Sequence, residues 1–250
     1  RSPNLEGSYA VAEDISDIFY VEIENLDANT NYYVRTFAKN AMGVTYSDDL
    51  FFTTLTPFSC GDPVSFEYNE EIHVYMSVLY AGKCWLDRNL GASQPATSST
   101  DNLAYGDLFQ WGREDDGHQL RTSNIIPVQA LAFLQPGHPD FIADSKIWYD
   151  WNEEETWEFR WTLMDDTKSE WDPCPHGWRV PSQADWYSAI SEGAWMTGMD
   201  AFNSTLAIPL AGMRSNFSGI TDEGVSGHYW CRSSIGSQMS EILFIDGGNA

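Results

Sequence analysis

Alternation of apolar and more polar side chains predicts β-strands in the first part of the chain. Phe19, Val21 and Ile23 alternate with more polar neighbours, which is the period of a strand buried on one face. The same pattern, with turn residues between the segments, predicts further strands at 34–40, 50–52, 64–68, 74–80 and 84–86. We therefore expect a β-rich N-terminal region, all-β as far as residue 56.

The hydrophobic period changes at Ser182. Before it, residues 178–180 are β-prone and bounded by Gly and Pro, which predicts a short buried strand. Ser182 followed by Asp185 three residues later fits a capping box. Apolar residues then recur at helical spacing, at Trp186, Ala189 and Ile190. We predict a helix over 182–191 that packs these three side chains on the core.

The C-terminal third returns to strand-like alternation. Leu206, Ile208 and Leu210 alternate, and the segments 228–232 and 241–245 are typical of neighbouring strands. Between them, residues 216–227 form a Gly-rich turn region that carries Asp222 and Glu223.

Residues 119–171 show neither the strand period nor the helix period of apolar residues. They contain several acidic residues and the tryptophans Trp148, Trp151, Trp157, Trp161 and Trp171. Two interpretations stay open, a ligand-binding loop region or a scaffold insertion packed by its own tryptophans.

Charge and length narrow the classes of function. The 250 residues suffice for one large or two small domains, and their formal net charge is −24. Such a surface repels phosphate backbones and anionic lipid heads, so we predict neither nucleic-acid nor membrane partners. No apolar run is long enough for a transmembrane helix, and the first residues lack the pattern of a signal peptide.

Four cysteines, Cys60, Cys84, Cys174 and Cys231, occur without a Cys-x-x-Cys pair or a His at zinc-ligand spacing. A structural zinc site is therefore not expected. Disulfides formed in an oxidising compartment explain such cysteines better than reactive thiols. Four cysteines allow three pairings, and the spacing alone does not choose among them.

Four blocks of sequence carry a resemblance to a known family. They are 172–186, with Cys-Pro-His-Gly-Trp-Arg-Val-Pro and a later Trp, 84–92, 105–119, and 210–214 followed by 227–230. Together they resemble the FISUMP family, the Fibrobacter succinogenes major paralogous domain. The resemblance implies an α+β, C-type-lectin-like domain over 57–250, akin to that of formylglycine-generating enzymes. It also implies a secreted or surface-anchored bacterial protein, in a family without a well-defined activity.

Residues 1–56 resemble the closing strands of a fibronectin type III domain, through Leu26 to Tyr32 and Ala38 to Gly43. Tyr32 then corresponds to the tyrosine-corner residue, whose hydroxyl returns to the backbone upstream. We expect a partial Ig- or fibronectin-like sandwich that begins inside that domain. The family's last strand, ending Val-Arg-Cys, is not seen before Ala250, so we expect the second domain to be cut as well.

Within this resemblance, Cys60 and Cys84 both lie at the start of the lectin-like domain, and we predict that they form a disulfide. The pattern of C-type-lectin folds points Cys174 towards the cysteine of the missing last strand. Cys174 and Cys231 are then expected to be unpaired.

Catalytic and metal motifs are weak. Gln135-Pro-Gly and Trp151-Asn-Glu echo calcium-lectin motifs but depart from them in residues and spacing. We predict no cofactor and keep calcium as the alternative. Neither Gly-x-Ser-x-Gly nor His-Glu-x-x-His occurs, and Cys231 has no partner cysteine on its strand, so we predict a protein that is not an enzyme.

We therefore predict an extracellular or cell-surface binding module, adhesin-like, that recognises a glycan or a cell-surface protein. Its ligand face is expected in segments 148–172 and 216–241, with Trp151 or Trp157 as the stacking surface. Polar contacts are predicted from Asp222, Glu223, His228, Arg232, Gln238 and Glu241. The alternatives are a variable display protein with a hypervariable C-terminal segment, and a carbohydrate-active or formylglycine-generating-type enzyme.

Overall fold

The computed structural model describes residues 3–4, 23, 25–127, 136–143, 160–163, 166–215, 219–235 and 239–248. The chain divides into two compact units, Arg1–Ser59 and Cys60–Ala250. The strand predicted around residues 19–23 lies outside the described residues except for Ile23.

The first unit contains four described strands: β1 (Asn31–Val34), β2 (Phe37–Asn40), β3 (Gly43–Tyr46) and β4 (Leu50–Thr53). β1 pairs with β4 and β2 with β3, both antiparallel. The single strand predicted over 34–40 is thus two strands, because Val34 pairs with Leu50 whereas Phe37 pairs with Tyr46 in another sheet. The Tyr32 hydroxyl accepts a hydrogen bond from the Asp27 backbone N–H at 2.9 Å, which confirms its predicted return to the backbone.

The second unit opens with an antiparallel sheet of three strands, β5 (Pro63–Tyr68), β6 (Glu71–Tyr80) and β7 (Lys83–Leu86). The β5–β6 connection is a two-residue turn in which Asn69 and Glu70 both have positive φ, at 51° and 64°. All three strands were predicted from the pattern. The predicted Cys60–Cys84 disulfide is confirmed, with 5.6 Å between the Cα atoms.

In the rest of the second unit, the described residues form two helices, a 3-10 turn at Asn102–Ala104 and six short to medium strands. They are β8 (Ile125–Ile126), β9 (Phe141–Ile142), α1 (Gln183–Gly193), α2 (Gly198–Asn203), β10 (Ala211–Ser215), β11 (Gly219–Glu223), β12 (Ser226–Ile235) and β13 (Met239–Asp246). The last four form one sheet in the order β11-β10-β12-β13. The predicted pairing of 228–232 with 241–245 is confirmed in the antiparallel β12–β13 pair.

Helix α1 follows its sequence signals closely. The Ser182 hydroxyl accepts from the Asp185 N–H, and the Asp185 carboxylate accepts from the Ser182 N–H, so the capping box is complete. Trp186 and Ala189 are buried, and Ile190 packs against the same cluster. The predicted helix and its buried face are confirmed.

The predicted fold class is wrong. Strands take 35% of the described residues and helices 10%, in several small sheets, which is a mostly β structure rather than an α+β, C-type-lectin-like one. The described part of the first unit likewise contains two two-stranded sheets in place of the expected Ig- or fibronectin-like sandwich.

Three arginine side chains, one buried and two half-buried, explain why so much of the second unit is irregular. Arg113 donates to the carbonyls of His138 and Asp140, Arg121 to that of Gly106, and Arg214 to that of Ser123. These bonds satisfy backbone carbonyls that would otherwise require a neighbouring strand. Long loops are thereby fixed without hydrophobic periodicity.

Two segments that were predicted as strands are irregular loops in the structure. In 178–180, the Val180 N–H donates to the Asp172 carboxylate at 3.0 Å instead of to a strand. In 206–210, the Leu210 N–H donates to the Ser99 carbonyl at 2.7 Å. The apolar side chains of 206–210 are buried as expected, but their backbone is irregular.

Among its described residues, the second unit buries two hydrophobic clusters. The main cluster lies between α1, α2 and the β12–β13 pair, and its members are Trp186, Ala189, Trp195, Ala201, Leu206, Ile208, Leu210, Cys231, Leu243 and Ile245. The smaller cluster is formed by Trp111, Trp161 and Val180, with Cys174 and Trp230 packed against it. Cys174 and Cys231 are free thiols, as predicted, and each belongs to or borders one cluster.

Candidate ligand-binding surface

The β12–β13 pair presents two chemically different faces. Opposite residues in an antiparallel pair point to the same side, so the pairs His228–Phe244 and Trp230–Ile242 share one face. The alternate residues Tyr229, Cys231, Leu243 and Ile245 point the other way and pack in or against the main cluster. That packing fixes the strands and leaves the first face as the only one able to meet a ligand.

The smaller cluster covers only part of this first face. The Trp230 indole N–H donates to the Phe109 carbonyl at 2.8 Å, and its ring meets Trp161 edge to face at 6.3 Å. The cover does not extend to β13, since Ile242, directly opposite Trp230, is exposed and Phe244 is 54% exposed. We call His228, Ile242 and Phe244 the β12–β13 platform.

Phe244 and His228 form an aromatic pair on the platform. Their ring centroids are 5.0 Å apart and their planes are inclined by 65°. The Ser226 hydroxyl lies 3.2 Å from the His228 Nε2. Burial lowers the pKa of His228, and the nearby Asp222 carboxylate only partly offsets this. At neutral pH the imidazole is therefore neutral and can both donate and accept hydrogen bonds.

The two acidic residues predicted in the turn region differ in what they contact. Asp222 is exposed, and its carboxylate accepts from the Thr221 hydroxyl at 3.2 Å. The Glu223 carboxylate accepts from the Arg121 guanidinium at 2.8 Å, while the same guanidinium donates to the carbonyls of Gly106 and Ala211. Glu223 thus holds Arg121 in place. Asp222 is the carboxylate that acts electrostatically on the pKa of His228.

Arg232 and Glu241 lie elsewhere on the same strand pair. Arg232 donates to Asp166 at 3.0 Å and to Asp185 at 3.1 Å. Glu241 accepts a hydrogen bond from the Gln183 side chain. Both residues therefore tie the strands to the N-terminal end of α1. Partial burial of Asp185 raises its pKa, but hydrogen bonds from Lys83, Ser182 and Arg232 outweigh this and hold the pKa well below its usual range.

The structure thus places the Asp222 carboxylate within electrostatic range of His228 and places Arg232 and Glu241 at the helix. Gln238, Trp151 and Trp157 lie outside the described residues. Sequence reasoning missed Phe244 and Ile242, because 242–245 is a continuous apolar run and its outward face is visible only from the register.

A buried polar pair lies elsewhere in the second unit. The Tyr68 hydroxyl donates to the Asp107 carboxylate at 2.6 Å, and burial raises the pKa of both groups. Because Tyr68 is almost fully buried, the pair serves to anchor the β5–β6 hairpin.

Within the described residues, no group of three or more His, Cys, Asp or Glu side chains is arranged to hold a metal ion. Among the described helices, none is long and apolar enough to cross a membrane.

No family model matches the chain, and no curated protein and no solved structure matches it either.

Proposed function

We propose that this chain is an extracellular binding module that recognises a glycan on the β12–β13 platform without transforming it. The observation that carries the proposal is the exposed Phe244 ring, set beside a neutral imidazole that lies within electrostatic range of the exposed Asp222 carboxylate. Its strand is fixed from behind by the main cluster, so the ring is presented on a rigid support.

The chemistry of the platform suits a sugar. The apolar C–H face of a pyranose packs on an aromatic ring, while its hydroxyls need both donors and acceptors at the ring edge. His228 supplies both roles in its neutral form, and Asp222 supplies acceptors. Ile242 extends the apolar surface along β13.

Charge supports a neutral ligand over an anionic one. The chain carries a formal net charge of −24, which repels nucleic acids, phosphorylated ligands and anionic lipids. A neutral oligosaccharide meets no such barrier. The extracellular assignment is supported by the Cys60–Cys84 disulfide, because such bonds persist in oxidising compartments.

A glycan array probed with the full chain tests this function. We expect binding to a limited set of neutral oligosaccharides, and no change in those oligosaccharides by mass spectrometry after prolonged incubation. The variant Asp222→Asn with His228→Ala should lose the same signals. Cleaved or modified sugars would point instead to an enzyme, and an empty array would contradict glycan recognition.

A further inference from the structure

Strand β6 has an inverted burial pattern. Its apolar residues Ile72, Val74 and Met76 are 70%, 57% and 43% exposed. On the opposite side of the strand, Tyr75 and Ser77 are buried and hydrogen-bonded, Tyr75 to the Ala92 carbonyl at 3.0 Å and Ser77 to the Asp62 carbonyl at 2.8 Å. The strand therefore buries the side that carries hydroxyl groups and exposes a row of apolar side chains to solvent.

The same side of β6 is covered further along the strand. Val78 and Tyr80 follow the row at the strand period, and both pack against the main cluster. The Tyr80 hydroxyl reaches the Ala189 carbonyl of α1 at 3.3 Å. The exposed row is thus the uncovered continuation of a core-facing surface, and contiguous exposed apolar surface of this kind marks interaction sites. We call Ile72, Val74 and Met76 the β6 outer face.

Acidic residues border this face. Glu67 lies directly across from Ile72, and Glu70 and Glu71 stand at the hairpin turn beside it, all three exposed. The sequence contains no Lys or Arg between residues 40 and 82. The exposed charged residues on β5 and at the hairpin turn beside the β6 outer face are therefore all acidic.

We propose that the β6 outer face docks a partner protein whose apolar contact residues are surrounded by Lys and Arg. Complementary charge favours such a partner, because oppositely charged borders attract and like charges across an interface are unfavourable. The same rule disfavours a second copy of this chain, which would bring two acidic borders together at a net charge of −24 each. This surface is separate in sequence and in sheet from the β12–β13 platform.

The first test asks whether the face is open in the full chain. Hydrogen peroxide oxidises methionines according to their exposure. We expect Met76 to be oxidised within about tenfold of the rate of the exposed Met196, as read by peptide mass spectrometry. A Met76 that resists oxidation in the isolated chain would show that another part of the chain covers the face, and would overturn the proposal.

The second test uses two synthetic peptides of equal length, one alternating valine with lysine and one alternating valine with glutamate. At physiological salt, fluorescence anisotropy should show binding of the lysine peptide and none of the glutamate peptide. Replacing Ile72, Val74 and Met76 together by Ser should weaken the binding at least about tenfold, the scale expected for interface anchors.

Matched controls separate this surface from charge alone and from the platform. Leu79→Ser removes an exposed apolar side chain from the same strand, and Phe244→Ala alters the platform; both should bind the lysine peptide like the parent chain. Circular dichroism confirms that each variant is folded. Equal binding by the triple Ser variant would overturn the proposal, as would a dimer of the parent chain that this variant dissociates.

Discussion

At the scale of single residues, His118 is a titratable group held in one protonation state. Its Nδ1 lies 2.7 Å from the Asp116 carboxylate, and its Nε2 accepts from the Gln110 N–H at 2.9 Å. This pair of contacts requires the neutral ring with the proton on Nδ1. Burial lowers the pKa of His118 to about 4, and Asp116 offsets this only in part.

Stability should consequently fall as the pH drops from about 6.5 to about 4. An unfolded His titrates near pH 6.5, so in this window the unfolded chain binds a proton that the folded chain does not. The contribution of His118 is fully present above pH 6.5, and its loss amounts to about 3 kcal/mol. Urea unfolding between pH 7.5 and 4.5 measures it.

The control for this prediction is His118→Gln, which removes the titrating ring. We expect the variant to be less stable than the parent chain at pH 7.5. Its free energy of unfolding should fall less than that of the parent chain between pH 6.5 and 4.5. Identical pH dependence in the two proteins would show that other groups cause the loss.

At the scale of elements, α1 gives the clearest test of local stability. Ser182→Ala removes the cap and should cost about 1 kcal/mol, because an N-terminal backbone N–H loses its acceptor. Trp186→Ala truncates a core residue and should cost about 3–5 kcal/mol. Ser188→Ala, at an exposed position within the helix, should change stability by less than about 0.5 kcal/mol. Equal effects of Ser182→Ala and Ser188→Ala would contradict the capping role.

Elements were predictable where local sequence determines them. Helix α1 followed from its capping box and spacing, and β5 to β7 from alternation between turn residues. The loops fixed by Arg113, Arg121 and Arg214 carry no such signal, since their contacts join residues that are distant in sequence. The C-type-lectin-like fold was wrongly predicted because it rested on the resemblance of four sequence blocks, whereas the described residues are mostly β, in several small sheets.

The candidate site was predictable only in part. Asp222 and His228 were named because they are polar residues near turns, and in the structure the Asp222 carboxylate acts electrostatically on the His228 imidazole. Arg232 and Glu241 were named on the same grounds, but their contacts lie at α1. A polar residue's partner depends on register and packing, which one sequence does not reveal.

At the scale of the whole molecule, the cysteines form one disulfide and two inert thiols. Burial raises the pKa of Cys231 to about 12 and that of Cys174 well above its usual value, so neither forms a reactive thiolate at neutral pH. Ellman's reagent should find less than one fast-reacting thiol per native chain and two in urea. Four thiols in urea without reductant would contradict the disulfide.

Binding of a glycan by the exposed Phe244 ring on the β12–β13 pair is tested most directly by affinity measured on two variants. Phe244→Ala removes the platform ring, whereas Tyr187→Ala removes a 60% exposed ring from α1. For an oligosaccharide selected on the array, calorimetry should show at least about a tenfold loss of affinity for Phe244→Ala, since stacking aromatics act as binding hot spots. Tyr187→Ala should bind like the parent chain. Unchanged affinity in Phe244→Ala, or an equal loss in both variants, would contradict the assignment.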